Sequence, residues 1–142
     1  TAHRLLESHF DDDHWHQIRL GIDEMVTNAI EHGNLGITCE EKQQGIEAES
    51  LLQLIQSRSA DPRYSDRKIT IEWMLDPQGF TCTITDEGDG FDWRSLPDPR
   101  DPTNLLKNHG RGILLTQLNF DQVSYNEKGN QVRLYKRIPK TA

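Results

Sequence analysis

The stretch EMVTNAIEHGN, residues 24–34, closes the strongest helical pattern in the chain, and the rest is read outward from it. Trp15, Ile18, Ile22, Met25, Val26, Ala29 and Ile30 recur at three- and four-residue steps, the spacing of one apolar helix face. The pattern predicts a helix over 14–32, ended by Gly33-Asn34. Asp11-Asp12-Asp13 breaks a short helix predicted over 2–10 and can cap the long one. Glu24, Asn28 and His32 are spaced i, i+4 and i+8, so they form one polar stripe bordering the apolar face. Groups on that border are half desolvated at the rim of the core. An Asn amide offers a neutral oxygen ligand to a divalent ion, and a Glu carboxylate one turn away offers a base. The stripe taken alone also reads as a solvated helix face whose terminal His meets the helix dipole.

Downstream, Thr38 to Arg58 carries a second helical pattern through Ile46, Leu51, Leu52, Leu54 and Ile55. Thr38 and Glu41 have capping-box spacing, and Gly45 weakens a continuous helix. After Asp61-Pro62 the period changes to two. Ile69, Ile71, Trp73 and Leu75 alternate with polar residues, a turn follows at 76–79, and Phe80, Cys82 and Ile84 alternate again. This predicts a hairpin with one buried face. Residues 86–109 form a long loop rich in Gly, Pro and Asp, a short helix spans about 112–119, and a second hairpin joins Val123 and Tyr125 to Val132 and Leu134. Two or three helices followed by ββαββ make an α+β fold, a two-layer α/β sandwich with helices on one face of a mostly antiparallel sheet.

Two further constellations carry chemistry. Asp86-Glu87-Gly88-Asp89-Gly90 follows a strand directly; an Asp there can accept from an exocyclic amine, and the glycines let backbone approach a flat ring or a phosphate. The same residues also suit an ordinary acidic turn, but they lack the twelve-residue spacing of a calcium loop. Gly110-Arg111-Gly112 opens the short helix, where exposed N–H groups, the helix dipole and Arg111 favour an anion; alone it equally describes a flexible helix start.

Composition bounds the partners. The chain has 142 residues, enough for one domain with its own core, and 27% are charged. The net charge of −7 and the absence of a basic face argue against direct nucleic-acid binding. No apolar run approaches the roughly 20 residues of a membrane span, and no signal peptide is visible. Cys39 and Cys82 make no disulfide framework, which fits a reducing, cytoplasmic compartment. The lack of an initiator Met suggests a piece of a longer protein.

Together, Glu-x-x-x-Asn-x-x-x-His-Gly-Asn (24–34), Asp-x-Gly-x-Gly (86–90) and Gly-x-Gly (110–112) resemble the N box and the two glycine boxes of GHKL-type ATP-binding domains, which have the Bergerat fold. Within that superfamily EMVTNAIEHGN, DEGDGFDWRSLPDP and GRGILLTQLNFDQVSYNEKGNQVRLYK look most like anti-sigma-factor serine kinases of bacterial stress and sporulation switches, over about residues 14–137. The resemblance implies a single ATP-binding kinase domain over 1–142. It makes Glu24 the general base, Asn28 the Mg2+ ligand and Asp86 the acid that reads the adenine amine. Gly88 and Gly90 would lie beside the nucleotide, His32 near the phosphates, and residues 91–109 would form a lid over ATP. Gly110, Arg111 and Gly112 would bind the phosphates. The implied cofactors are ATP and Mg2+. The implied substrate is a Ser or Thr on an anti-sigma-factor antagonist, with a sigma factor and a second copy of the chain as further candidate partners.

Three departures qualify this. Asn130-Gln131-Val132 stands where related kinases place an adenine-contacting Thr. Residues 38–66 form a helical excursion longer than in the compact kinases, as in output domains fused to receiver or phosphatase modules. The strand that commonly opens the fold is not evident before Ala2, so it would be missing or supplied by a partner chain. Sensor histidine kinases generally have Asn in place of Glu24 and use a separate His-bearing helix, and the larger relatives that keep the Glu carry a transducer absent here. A nucleotide-gated, non-catalytic anti-sigma binding module and an ATP hydrolase remain as alternatives. Elsewhere, His14-Trp15-His16 beside three Asp reads as solvated more readily than as a metal site. Trp15 and Trp73 fit core periodicity, and Trp93 in the lid reads as packing.

Overall fold

Asp11 starts the main helix in the way its side chain allows. In extended backbone, its carboxylate accepts from the His14 N–H at 2.8 Å, satisfying a donor that the first helical turn leaves unpaired. In this computed structural model, which describes residues 2–103 and 111–140, α1 (Ala2–Glu7) leads to α2 (Asp12–Asn28). α2 then widens into a π-helical turn, Ala29–Asn34, where the Leu35 N–H reaches back five residues to the Ile30 carbonyl at 2.9 Å. The predicted helix therefore ends where Gly33-Asn34 marks it, but its last turn is of a different kind. Gly36, at φ +59°, then turns the chain, a conformation that suits a residue without Cβ.

The excursion is two helices, α3 (Cys39–Glu47) and α4 (Leu51–Ala60). The capping box forms: Thr38 Oγ1 accepts from the Glu41 N–H at 3.1 Å, and Glu41 Oε2 accepts from the Thr38 N–H at 2.9 Å. The break falls at 48–50, with Glu49 at φ +54°, and not at Gly45. Gly45 serves contact instead, since a Cβ there would sit 3.1 Å from the Leu51 Cα.

β1 (Thr70–Leu75) and β2 (Gly79–Thr85) form the first hairpin. After a 3-10 turn at Trp93–Ser95 come α5 (Arg111–Asn119), β3 (Gln122–Tyr125) and β4 (Gln131–Arg137). The strand order is β1-β2-β4-β3, antiparallel throughout. Phe80, Cys82, Ile84, Val132 and Leu134 alternate onto one face, where they meet Ile18, Met25, Ala29 and Phe120 from the helical layer. This is the expected α+β sandwich. α2 and α5 pack together, and just past the end of α5 Gly21 leaves room for the Phe120 ring.

One core assignment is overturned. Trp73 pairs with Cys82 and shares its face, yet it is 45% exposed, as is Ile71 at 49%. The period of two is correct, and Leu75 on the same face packs against the core, but β1 is an edge strand and its face stays exposed at Ile71 and Trp73; alternation names the face, not what covers it. Trp15 does pack against the core.

Candidate functional site

Two adjoining cavities lie along the π-turn, and His32 borders both. The first, of about 70 Å³, is floored by Met25, Ala29, Ile84 and Val132 and reached by Asp86. Asp86 leaves the end of β2 and is 8% exposed. It is held from two sides. Its N–H donates to the Asn130 carbonyl at 2.9 Å, and Asn130 Nδ2 donates back to the Asp86 carbonyl at 2.8 Å. Its Oδ1 accepts from the Gly88 N–H at 2.8 Å. Burial pushes the Asp86 carboxyl above its ordinary range; the Gly88 bond and the charges of Lys128 and Arg67 pull the other way.

The glycines of this loop permit close approach. A Cβ on Gly33 would overlap the Asp86 carboxylate, and one on Gly88 would overlap the Gly33 carbonyl. Gly90, at φ +78°, borders the first cavity and lies against the Lys128 carbonyl. Asn130, Gln131 and Val132, which replace the expected Thr, line the same cavity, and Gln131 Nε2 donates to Thr85 Oγ1 at 3.0 Å.

The second cavity, of about 200 Å³, brings together Glu24, Asn28, His32, Arg111 and Gly112, and Lys42 lines it too. The predicted stripe thus survives the change of helix type. Glu24, expected to be half desolvated, is exposed; Asn28 and His32 are half-buried. Glu24 lies a turn and more before the π-turn, and the α5 residue set against it is Gly112, which has no side chain to cover it. A Cβ on Gly112 would overlap the Glu24 carboxylate. His32 Nδ1 lies 2.5 Å from the Ile37 carbonyl; a carbonyl only accepts, so Nδ1 carries the hydrogen and Nε2 is left out of that bond. Gly110 and lid residues 104–109 lie outside the described residues.

Other sequence expectations find plain structural roles. His14 Nδ1 pairs with the capping Asp11 at 2.6 Å, and among the described residues no group of three His, Cys, Asp or Glu could hold a metal. Trp93 stacks on Tyr125 at 6.3 Å, with the Arg94 guanidinium 4.4 Å from its ring centre, so it packs as expected.

Sequence reasoning missed Asn34 as more than a helix end. Only 5% exposed, it accepts from the Glu87 N–H through Oδ1 at 2.7 Å, while its own carbonyl accepts from Arg67 Nη1 at 3.0 Å. It fastens the end of the π-turn to the Asp86 loop across more than fifty residues of sequence. Arg58 was missed too: it donates to the Leu35 and Gly36 carbonyls at 2.9 and 3.1 Å and to Glu41 Oε1 at 2.6 Å. The one available signal was an arginine recurring in a polar segment, which carries no information about its partner.

A family model, the histidine kinase-like ATPase domain, matches residues 1–136. No curated protein and no solved structure matches the chain. Among the described residues no helix is long and apolar enough to cross a membrane.

Proposed function

The chain belongs to the histidine kinase-like ATPase domain family, and from that premise we propose that it is an ATP-dependent protein serine/threonine kinase of the anti-sigma-factor type. The observation that carries the reading is that the two cavities adjoin at His32, which lines both. One holds a buried carboxylate suited to an adenine amine; the other holds a free carboxylate, Glu24, beside a helix start. The distance between base recognition and chemistry is then spanned by the phosphates.

Each group has a role that its surroundings support. Asp86 accepts from the adenine amine. The N-terminal end of α5, with Arg111, faces phosphate oxygens through N–H groups and positive charge. Magnesium suits the donor set, because Asn28 lines the same cavity as Arg111 and Gly112 and its amide oxygen would serve as a neutral ligand; when bound the ion would offset phosphate charge. Glu24 takes the proton of a Ser or Thr hydroxyl. As the hydroxyl oxygen bonds to the γ-phosphorus, the bond from that phosphorus to the β-bridging oxygen breaks and ADP leaves. The exposure of Glu24 supports a substrate that arrives from outside, as a hydroxyl on another protein does.

The antagonist of an anti-sigma factor is the substrate class we propose, in a cytoplasmic regulatory switch, with the sigma factor or a second copy of the chain as further partners. Residues 91–109 would close over the nucleotide. Labelled ATP incubated with the protein and a Ser-bearing antagonist tests this. Label on the antagonist is the expected result. Free phosphate instead would make the protein a hydrolase, and tight binding without turnover a nucleotide-gated binding module.

A further inference from the structure

The helical excursion reaches the phosphate end of the site through one cation. Lys42 lines the second cavity with Glu24, Asn28 and Arg111, although it belongs to α3 and not to any of the three motifs. Its Nζ lies 2.5 Å from Glu31 Oε2, and the two side chains are 28% and 12% exposed. Glu31 Oε2 is buried and accepts no well-directed hydrogen bond, so charge holds the pair rather than alignment. An ammonium carries three donors, and one such contact leaves donors for a second anion.

The segment that delivers Lys42 is fixed at several points. The Thr38–Glu41 capping box sets the first turn of α3 immediately before it. Arg58, from α4, ties Glu41 to the Leu35 and Gly36 carbonyls, which leave the π-turn. The Arg58 guanidinium also lies 5.7 Å from the centre of the Tyr64 ring, which Arg63 and Arg67 approach at 5.3 and 5.1 Å. Arg67 in turn holds the Asn34 carbonyl. The excursion is therefore braced on the same turn that carries His32, and Lys42 lines the cavity that Arg111 also lines.

We propose that Lys42 is a phosphate-binding residue that recognises the terminal phosphate of a nucleoside triphosphate, with Glu31 as the positioning residue that holds it at the cavity wall between turnovers. This rests on the reading of the second cavity as the phosphate end of an ATP site. Lys42 makes the excursion part of the binding machinery and gives the site a means of distinguishing ATP from ADP, since the phosphate lost on transfer is the one it contacts.

Calorimetry with ATP and ADP, each with magnesium, on wild type, Lys42→Met and Lys42→Arg tests this. A charge-assisted hydrogen bond is worth roughly tenfold or more in affinity. Lys42→Met should weaken ATP by about that factor while changing ADP by less than about threefold, and Lys42→Arg should restore most of the loss. Equal weakening of both nucleotides, with no selective rescue by arginine, would make Lys42 a structural tie and overturn the proposal. So would ATP affinity in Lys42→Met indistinguishable from wild type. Wild type that binds neither nucleotide would instead overturn the underlying ATP reading, a result visible before any variant is made.

Discussion

Gly112 and Glu24 are set against each other from separate helices: a single Cβ on Gly112 would occupy the space of the Glu24 carboxylate. The first turn of α5 and the proposed base are thus set against each other by the absence of a side chain. Gly112→Ala would meet the far end of a flexible, exposed chain, so Glu24 would swing aside at small cost to stability, below the about 1–3 kcal/mol typical of an overpacked core. Phosphoryl transfer should nevertheless fall by about 10²-fold or more, because a displaced base is equivalent to a missing one. Thermal melts and single-turnover transfer on the same sample check both halves. A variant with full activity would separate Gly112 from the chemistry.

Glu24→Gln should bind Mg-ATP at least as tightly as wild type and lose transfer by about 10²–10⁴-fold. The amide keeps the size of the carboxylate and removes both the base and its repulsion from phosphate. Single-turnover transfer to the antagonist at saturating Mg-ATP reads the loss. Turnover within about threefold of wild type, far short of that range, would remove Glu24 from the role of base.

Asp86→Asn should separate base recognition from phosphate binding. ATP should weaken by about 1–3 kcal/mol relative to inorganic triphosphate, the worth of a hydrogen bond to a charged group. The pH behaviour has a defined sign. Burial raises the folded-state pKa above 3.8, so the stability contributed by the protonated carboxyl is fully present below that value and is lost as pH rises through the folded pKa. At neutral pH the nucleotide-free Asn variant should therefore melt above wild type, with the gap closing as pH falls through the raised folded pKa and gone below 3.8. Recognition of the amine runs the other way in wild type, weakening as the carboxylate is protonated. Melting curves across the acid range, paired with competition between ATP and triphosphate, read both effects; an unchanged preference for ATP would release Asp86 from reading the base.

Asn34→Ala should destabilise the protein by about 1–3 kcal/mol, because it strips the Glu87 N–H of its acceptor in a part-buried position. ATP affinity should fall as well, since the Asp86 loop loses its tie to the π-turn. Urea unfolding and calorimetry measure the two. Loss of stability with unaltered ATP affinity would show that the Asn130 and Gly88 bonds suffice to hold Asp86.

What the sequence determined by itself was local in origin. The three- and four-residue steps of Trp15 to Ile30, the alternation of Phe80, Cys82 and Ile84, and the Thr38–Glu41 box each express a backbone periodicity or a contact three residues long, so each can be read without knowing the fold. The order of the three motifs likewise pointed to the class of domain and made candidates of Glu24, Asn28 and Gly112, which share the second cavity, and of Asp86, which lines the first. Tertiary structure decided what depends on a neighbour distant in sequence. It left Trp73 half-exposed on an edge strand, widened the helix into a π-turn at Ala29–Asn34, joined Asn34 to Glu87, and brought Lys42 to the cavity of Glu24 and Arg111. Periodicity fixes which face a side chain takes, but burial and polar pairing depend on which element arrives opposite that face. Trp73 stays half-exposed on its edge strand, and for Asn34 and Lys42 the partner comes from a segment whose spacing carries no mark of the meeting.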